Sequence, residues 1–109
     1  MFFDETTNDT LKMPQALSIR SIASAHGLLL DRLKDTDRLV VEVPKDADAD
    51  LSFVQLMEAS RNFAAQNNKT ITLKEPADGQ VLQTLRRGGF LSRMDETSRQ
   101  FWLHGKDIS

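Results

Sequence analysis

The sequence predicts an α/β fold in which a mostly parallel, mixed β-sheet is packed against helices. Segments with the two-residue period of strands alternate with segments that have the spacing of one helix face, between about residues 11 and 91. One of the strand segments is apolar on both faces, which is typical of a strand at the centre of a parallel sheet. Such alternation of strands and helices is typical of layered folds with parallel strands.

The composition is that of one ordinary globular domain. The chain has 109 residues, of which 39% are hydrophobic and 28% are charged, and its formal net charge is −2. The absence of a basic surplus argues against nucleic-acid binding. The absence of cysteine excludes disulfides and thiolate metal sites within this sequence. No apolar run reaches the roughly 20 residues of a membrane span, and the first residues do not resemble a signal peptide. We therefore expect a cytoplasmic protein without membrane insertion.

The N-terminal part predicts an arm, a short strand and a helix. Residues 1–10 are polar after Phe2-Phe3 and predict a loose arm. Leu11-Lys12-Met13 alternates like a strand, which Pro14 would end. A helix is expected from about Ser21, with Ser18 or Ser21 as its cap. Its apolar face would consist of residues spaced by threes and fours: Ile22, Ala25, His26, Leu29 and Leu33.

The middle of the chain predicts the central strand and the second helix. Leu39–Val43 is apolar on both faces, which indicates a central strand covered by helices. After a charged loop, a helix pattern extends from about Asp50 to Asn67. Asp50 is a typical N-cap residue, because its carboxylate can accept hydrogen bonds from the unpaired N–H groups of the first turn.

The last third predicts a strand, a third helix and a tail. Thr70–Leu73 alternates like a strand, and a short helix around Val81 and Leu85 would end at Gly88-Gly89. Residues 92–109 form a C-terminal extension that contains the single tryptophan. We expect this extension to pack against the domain, either as a docked tail or as an edge strand. An edge strand would offer a pairing surface to a second copy, so a homodimer is a further expectation.

The order and spacing of these segments carry a family resemblance. Leu11-Lys12-Met13-Pro14 precedes the first helix, and Asp50-Leu51-Ser52-Phe53-Val54-Gln55-Leu56-Met57 opens the second helix. Val81-Leu82-Gln83-Thr84-Leu85 and Gly88-Gly89-Phe90-Leu91 follow the late strand. Over residues 11–91 the chain resembles the STAS domain family of bacterial anti-sigma factor antagonists and sulfate transporters. The octapeptide resembles the family's Asp-Ser-Ser-Gly-Leu-Gln-Leu-Leu pattern.

The chain departs from that pattern at the family's phosphorylation position. The family's phospho-acceptor hydroxyl is replaced by Leu51, and its glycine is replaced by Phe53. Two interpretations follow. Either the phosphorylation switch is lost and the domain binds constitutively, or Ser52 is the acceptor in a shifted register. The resemblance places the partner-binding surface at six residues, with Leu51 and Phe53 as exposed apolar anchors: Asp48, Asp50, Leu51, Ser52, Phe53 and Val54.

The resemblance implies a signalling module without enzymatic activity and without a cofactor. Its partner would be a histidine-kinase-like ATPase, either an anti-sigma factor or a chemotaxis kinase for which the chain acts as an adaptor. A related alternative is a cytoplasmic subunit of a lipid ABC transporter. A small enzyme is the competing class, but the sequence shows no convergent set of titratable residues that would support it.

Other chemistry-bearing residues have simpler interpretations. His26 is expected to be a packed histidine of the first helix, and His104 to be solvated. Their spacing does not predict a metal site, and the alternating Asp46, Asp48 and Asp50 lack the glycine and glutamate of a calcium loop. Arg86-Arg87-Gly88-Gly89 ends a helix rather than beginning one, so it does not predict a phosphate site. A catalytic pair of Ser52 and His26 would lack an orienting third residue.

Overall fold

Strands and helices alternate along the chain as the sequence predicts. The structure is a computed structural model, and it describes residues 8–105. Five strands and four α-helices lie in this range. In chain order they are β1 (Asn8–Lys12), β2 (Ala16–Leu17), α1 (Ile22–Asp35), β3 (Arg38–Glu42), β4 (Asp48–Ala49), α2 (Leu51–Gln66), β5 (Thr70–Leu73), α3 (Gly79–Arg87) and α4 (Glu96–Leu103), with a 3₁₀ turn at Leu91–Arg93 before the last helix.

The main sheet has three strands in the order β1-β3-β5, and both pairs are parallel. This confirms the α/β class and the central position of the strand around Val41. Leu11, Val41 and Leu73 lie side by side in the register. A second sheet consists of the parallel pair β2–β4. Among residues 8–105 every strand pair is parallel, so the antiparallel component of a mixed sheet is not observed there.

One face of the main sheet is buried and the other is largely exposed. The buried face carries Leu11, Leu39, Val41, Ile71 and Leu73. The opposite face carries Thr10, Lys12, Arg38, Thr70 and Thr72, all of which are exposed. The expectation that helices cover both faces is therefore wrong. Val40 is half-buried in a row between two threonines, and a single valine is compatible with such a half-exposed strand face.

Helices α1 to α3 form as their apolar spacing predicts. α1 buries Ala25, Leu29 and Leu33, and α3 buries Val81 and Leu85. Gly88 follows α3 and donates its backbone N–H to the Thr84 carbonyl, which confirms the predicted helix end. No helix within the described range is both long and apolar enough to cross a membrane.

Two predictions for α1 are wrong in detail. His26 is exposed rather than packed, and Leu28 is also 43% exposed. Both residues lie beside the buried face of α1, which consists only of Ala25, Leu29 and Leu33. Ser21 occupies the N-cap position, but its hydroxyl donates to the Ala16 and Ser18 carbonyls and makes no capping hydrogen bond.

The C-terminal extension contains a helix, so the predicted edge strand is wrong. Asp95 caps α4 by accepting the Ser98 N–H at 2.8 Å. Phe101, Trp102 and Leu103 are buried, which confirms that the extension packs. Trp102 donates its indole N–H to Glu58 Oε2 at 2.8 Å.

The predicted arm and the predicted C-terminal extension both contribute regular elements. Residues 8–10, which were expected in the N-terminal arm, belong to β1. The rest of the predicted arm, including Phe2-Phe3, lies outside the described residues. Because α4 buries three large side chains against α2 and β5, residues 96–103 belong to the same folded unit as residues 11–91.

Candidate functional site

The start of α2 lies beside the loop that leads into α1. The two short strands β2 and β4 hold these segments together, with Leu17 paired to Ala49. The Asp48 N–H donates to the Gln15 carbonyl at 2.8 Å, and the Gln15 side-chain amide donates to Asp46 Oδ2 at 3.1 Å. The loop after β2 is thereby held next to the first turn of α2.

Asp50 links these two segments through its carboxylate. Oδ1 accepts the Ser52 N–H at 2.9 Å and also accepts the Ser52 hydroxyl. Oδ2 accepts the backbone N–H of Ile19 at 2.9 Å. The hydrogen bond from the Ser52 side chain is the main cause that lowers the pKa of Asp50 below 3.8, and the backbone hydrogen bonds from Ile19 and Ser52 add to it, against a partial desolvation penalty. The carboxylate is therefore ionised at neutral pH, and the predicted capping role is confirmed.

Two large aliphatic side chains flank this carboxylate in solvent. Ile19, whose N–H binds Asp50, is 68% exposed, and Leu51, which follows Asp50, is 44% exposed. Asp48 is also exposed, while Asp50 is half-buried. We call Ile19, Asp48, Asp50 and Leu51 the docking surface. It combines two apolar side chains with two carboxylates at the beginning of a helix.

Phe53 and Val54 do not belong to this surface. Both are 0% exposed, so the expectation that Phe53 is an exposed anchor and that Val54 contacts a partner is wrong. Phe53 lies one turn before Met57 on the buried face of α2, and Val54 lies beside it on the same face. Because the helix begins at Leu51, its first buried positions follow within two residues.

Ser52 is half-buried, and its hydroxyl is used by the cap. The hydroxyl donates to Asp50 rather than to a histidine, so the pair is a capping arrangement and not a nucleophile with its base. His26 is exposed on α1. Within residues 8–105 no cluster of three or more His, Cys, Asp or Glu side chains could hold a metal ion.

A cavity of about 350 Å³ lies at the carboxyl ends of β3 and β5. Phe53, Leu73, Val81 and Trp102 contribute its apolar walls, and Lys45 lies at its rim. The Ala77 N–H donates to the Trp102 carbonyl at 2.7 Å, which ties the loop after β5 to α4. This cavity was not predicted, because α4 was not predicted as a helix.

Sequence reasoning also missed Ile19. Its signal was present, since an isoleucine directly after Ser18 lies outside the apolar stripe of α1. His104 was expected to be solvated, but it is half-buried, and its Nε2 lies 2.9 Å from the Leu73 carbonyl oxygen. Arg86 and Arg87 are exposed at the end of α3, as expected for charges near a helix C-terminus.

No protein-family model, curated protein or solved structure matches the chain. The resemblance to the STAS family therefore stays a prediction that rests on residues 11–91. The structure adds the α/β architecture and the position of Asp50, Leu51 and Ser52 at the start of the second long helix.

Proposed function

We propose that the chain is a STAS-like protein-binding module that regulates a histidine-kinase-like ATPase and has no chemistry of its own. The observation that supports this most is the docking surface, where Ile19 and Leu51 are held in solvent beside an ionised carboxylate. A few apolar anchors surrounded by polar groups usually carry most of the affinity of a protein interface. Burying an aliphatic side chain fully contributes about 1.5–3 kcal/mol.

The charge at this surface favours a basic partner patch. Asp46 and Asp48 are exposed next to Asp50, and no cation is paired with them in the described part of the chain. Complementary charge around an apolar centre speeds association and selects among partners. We therefore expect association to slow with added salt, because the screening length shortens to roughly 8 Å at physiological ionic strength.

The hydrogen bonds of Ser52 support a constitutive module rather than a phosphorylation switch. The Ser52 hydroxyl already donates to the Asp50 carboxylate, and a phosphate there would stand next to that negative charge. Phosphorylation would also remove the hydrogen bond from the Ser52 hydroxyl to Asp50. The start of a helix does favour anions, but here Asp50 already supplies the negative charge. The intact mass of the protein purified from its native host tests this directly. A phosphate mapped to Ser52 would restore the switched-antagonist interpretation.

We predict that Leu51→Asp weakens partner binding by more than about tenfold, because it replaces an apolar anchor with a charge at an interface. The fold should persist, since an acidic residue is favourable in the first turn of a helix. Leu28→Asp is the matched control, because Leu28 is 43% exposed on α1 and lies outside the docking surface. Binding would be measured by calorimetry with the ATPase that co-purifies. Equal losses in both variants, or none in either, would reject this surface as the interface.

Two alternatives within the same class remain proposals. The chain would be an adaptor of a chemotaxis kinase, or a subunit that docks on the ATPase of a lipid ABC transporter. The type of ATPase that co-purifies with the native protein, and is lost in Leu51→Asp, distinguishes them. If the purified protein alone converted a small molecule without ATP, it would instead be an enzyme.

A further inference from the structure

β5 is an edge strand of the main sheet within the described residues, and its outer edge carries unused backbone groups. The Thr70 N–H donates to the Asp37 carbonyl at 2.8 Å, and the Lys74 N–H donates to the Val41 carbonyl at 2.9 Å. Residues that bond to one neighbour alternate along a parallel strand, so Ile71 and Leu73 direct their backbone groups away from β3. The contact between His104 Nε2 and the Leu73 carbonyl, on that outer side, agrees with this.

The two edges of the sheet are protected to different extents. On β1, Arg32 donates to the outward Thr10 carbonyl at 3.2 Å and pairs with Asp9 at 2.8 Å. On β5, His104 engages the Leu73 carbonyl. Within residues 8–105, no hydrogen-bond partner is found for the Ile71 N–H, the Ile71 carbonyl or the Leu73 N–H. Strand edges with unpaired backbone groups pair readily with another extended chain.

A groove of about 660 Å³ lies beside this edge, and His104 at the end of α4 closes one side of it. Its walls are formed by β5 on one side and by side chains of α2 and α4 on the other: Arg61, Ile71, Leu73, Thr97, Gln100 and Phe101. We call this the edge groove. It places a row of backbone donors and acceptors opposite an exposed helix face, which is the arrangement needed for the addition of a strand.

Arg61, in the wall of the edge groove, is held in place by three contacts. Arg61 pairs with Glu58 at 2.6 Å, donates to the Ser98 hydroxyl at 3.3 Å, and lies 4.8 Å from the centre of the Phe101 ring. Its positive charge is therefore already balanced. Glu96 also lines the groove and is exposed, so the remaining charge at the rim is negative. An occupant with a basic residue near Glu96 would complement it.

We propose that the edge groove binds an extended segment of a partner protein, which adds a fourth strand beside β5. The segment would alternate apolar and polar residues, because successive side chains of a strand point to opposite faces. Its apolar side chains would lie against Ile71 and Phe101 on the buried side, and its polar ones beside Thr70 and Thr72 on the exposed side. A flanking lysine or arginine would face Glu96. This site is separate from the docking surface and does not depend on the proposed function.

The test uses ¹⁵N-labelled full-length protein and one synthetic probe. The probe is an acetylated and amidated heptapeptide of alternating valine and threonine with a lysine at each end. Without the probe, the Ile71 and Leu73 amides should exchange with solvent faster than those of Thr72 and Lys74. At millimolar probe, the exchange of Ile71 and Leu73 should slow by about tenfold or more, and the resonances of Thr97 and Gln100 should shift.

Backbone pairing is checked with two N-methylated probes, one methylated at every valine and the other at every threonine. The probe whose edge-facing N–H groups are methylated should bind at least about tenfold more weakly than the other, since alternate residues face the edge. Gln100→Trp should block binding by filling the groove, whereas Gln83→Trp, at an exposed position on α3, should not. Equal binding of both methylated probes, shifts elsewhere on the protein, no shifts at millimolar probe, or a dimer that already protects Ile71 would each overturn the proposal.

Discussion

Asp50 has the densest set of interactions at the docking surface. One carboxylate oxygen binds the first turn of α2, and the other binds the loop before α1. A residue without a side-chain acceptor at this position would release the Ile19 N–H and the Ser52 N–H together. The same side chain thus caps a helix, positions an exposed isoleucine, and contributes negative charge to the surface. Its ionisation connects the stability of the fold with the shape of the proposed interface.

The lowered pKa of Asp50 predicts a specific dependence of stability on pH. Because hydrogen bonds, first of all that from the Ser52 side chain, lower the pKa of Asp50 in the folded protein, its charged form stabilises the fold above the unfolded pKa, and this contribution is lost as the pH falls through the folded pKa. Asp50→Ala should cost about 0.5–2 kcal/mol at neutral pH, the usual range for an N-cap. The gap to the wild type should shrink as the pH falls through the folded pKa of Asp50. Urea unfolding of both proteins across this range measures it.

Asp50→Asn is the matched variant, because asparagine is also a good N-cap but cannot ionise. It should lose less stability than Asp50→Ala at neutral pH, and it should show the flatter pH profile of an uncharged residue. A constant difference between wild type and Asp50→Ala from neutral pH to below the folded pKa would contradict the assignment of the lowered pKa to this network.

At the level of elements, the sequence predicted those helices whose apolar residues recur at threes and fours. α4 was missed because its apolar residues, Phe101 to Leu103, are consecutive and have no helical period. The sequence signal for this helix was Asp95, a favoured N-cap residue, three positions before Ser98. The structure shows the capping hydrogen bond from the Ser98 N–H to Asp95 Oδ1. Consecutive apolar residues can all be buried in a helix that is covered on two sides, here by α2 and β5.

The candidate site was predictable only where it depends on local sequence. The cap residue Asp50 and the exposed position of Leu51 follow from local helix chemistry. The contribution of Ile19 depends on the pairing of β2 with β4, and strands of two residues leave no periodic signal. The burial of Phe53 could have been inferred from its spacing to Met57, because both lie on the apolar face of α2.

α4 is expected to be part of the cooperative fold, and its tryptophan tests this. Trp102→Ala should destabilise the protein by about 3–5 kcal/mol, because it removes a large buried side chain. Trp102→Phe keeps most of the volume and loses the hydrogen bond to Glu58, which costs about 1.5–3 kcal/mol for a charged acceptor. Far-UV circular dichroism in urea is the suitable measurement, since Trp102 is the single tryptophan. Wild-type stability in Trp102→Ala would show that α4 is a separable tail.

Over the whole molecule, stability is expected to be uneven. β3 lies between two parallel neighbours and against the buried face of the helices, whereas β2 and β4 form a pair of two residues each. That small pair carries the docking surface. Its hydrogen bonds from the Asp48 N–H to the Gln15 carbonyl and from the Ala49 N–H to Gln80 Oε1 at 3.1 Å lie outside the main sheet. We therefore expect this pair to open without disturbing the main sheet. The proposed interface therefore lies beside a strand pair that is much shorter than those of the main sheet.

Native-state hydrogen exchange measures this difference. The amides of Leu39 and Val41 in β3 should exchange through global unfolding, so their opening free energy should equal the free energy of unfolding. The amides of Asp48 and Ala49 should exchange through local opening at a clearly lower free energy, and Asp50→Ala should lower it further because it releases Ile19 from the start of α2. Binding of a partner at the docking surface should raise the opening free energy of Asp48 and Ala49 and leave that of the β5 edge unchanged. Equal opening free energies for β3 and β4 would mean that the two sheets open as one unit, and the docking surface would then be as rigid as the core.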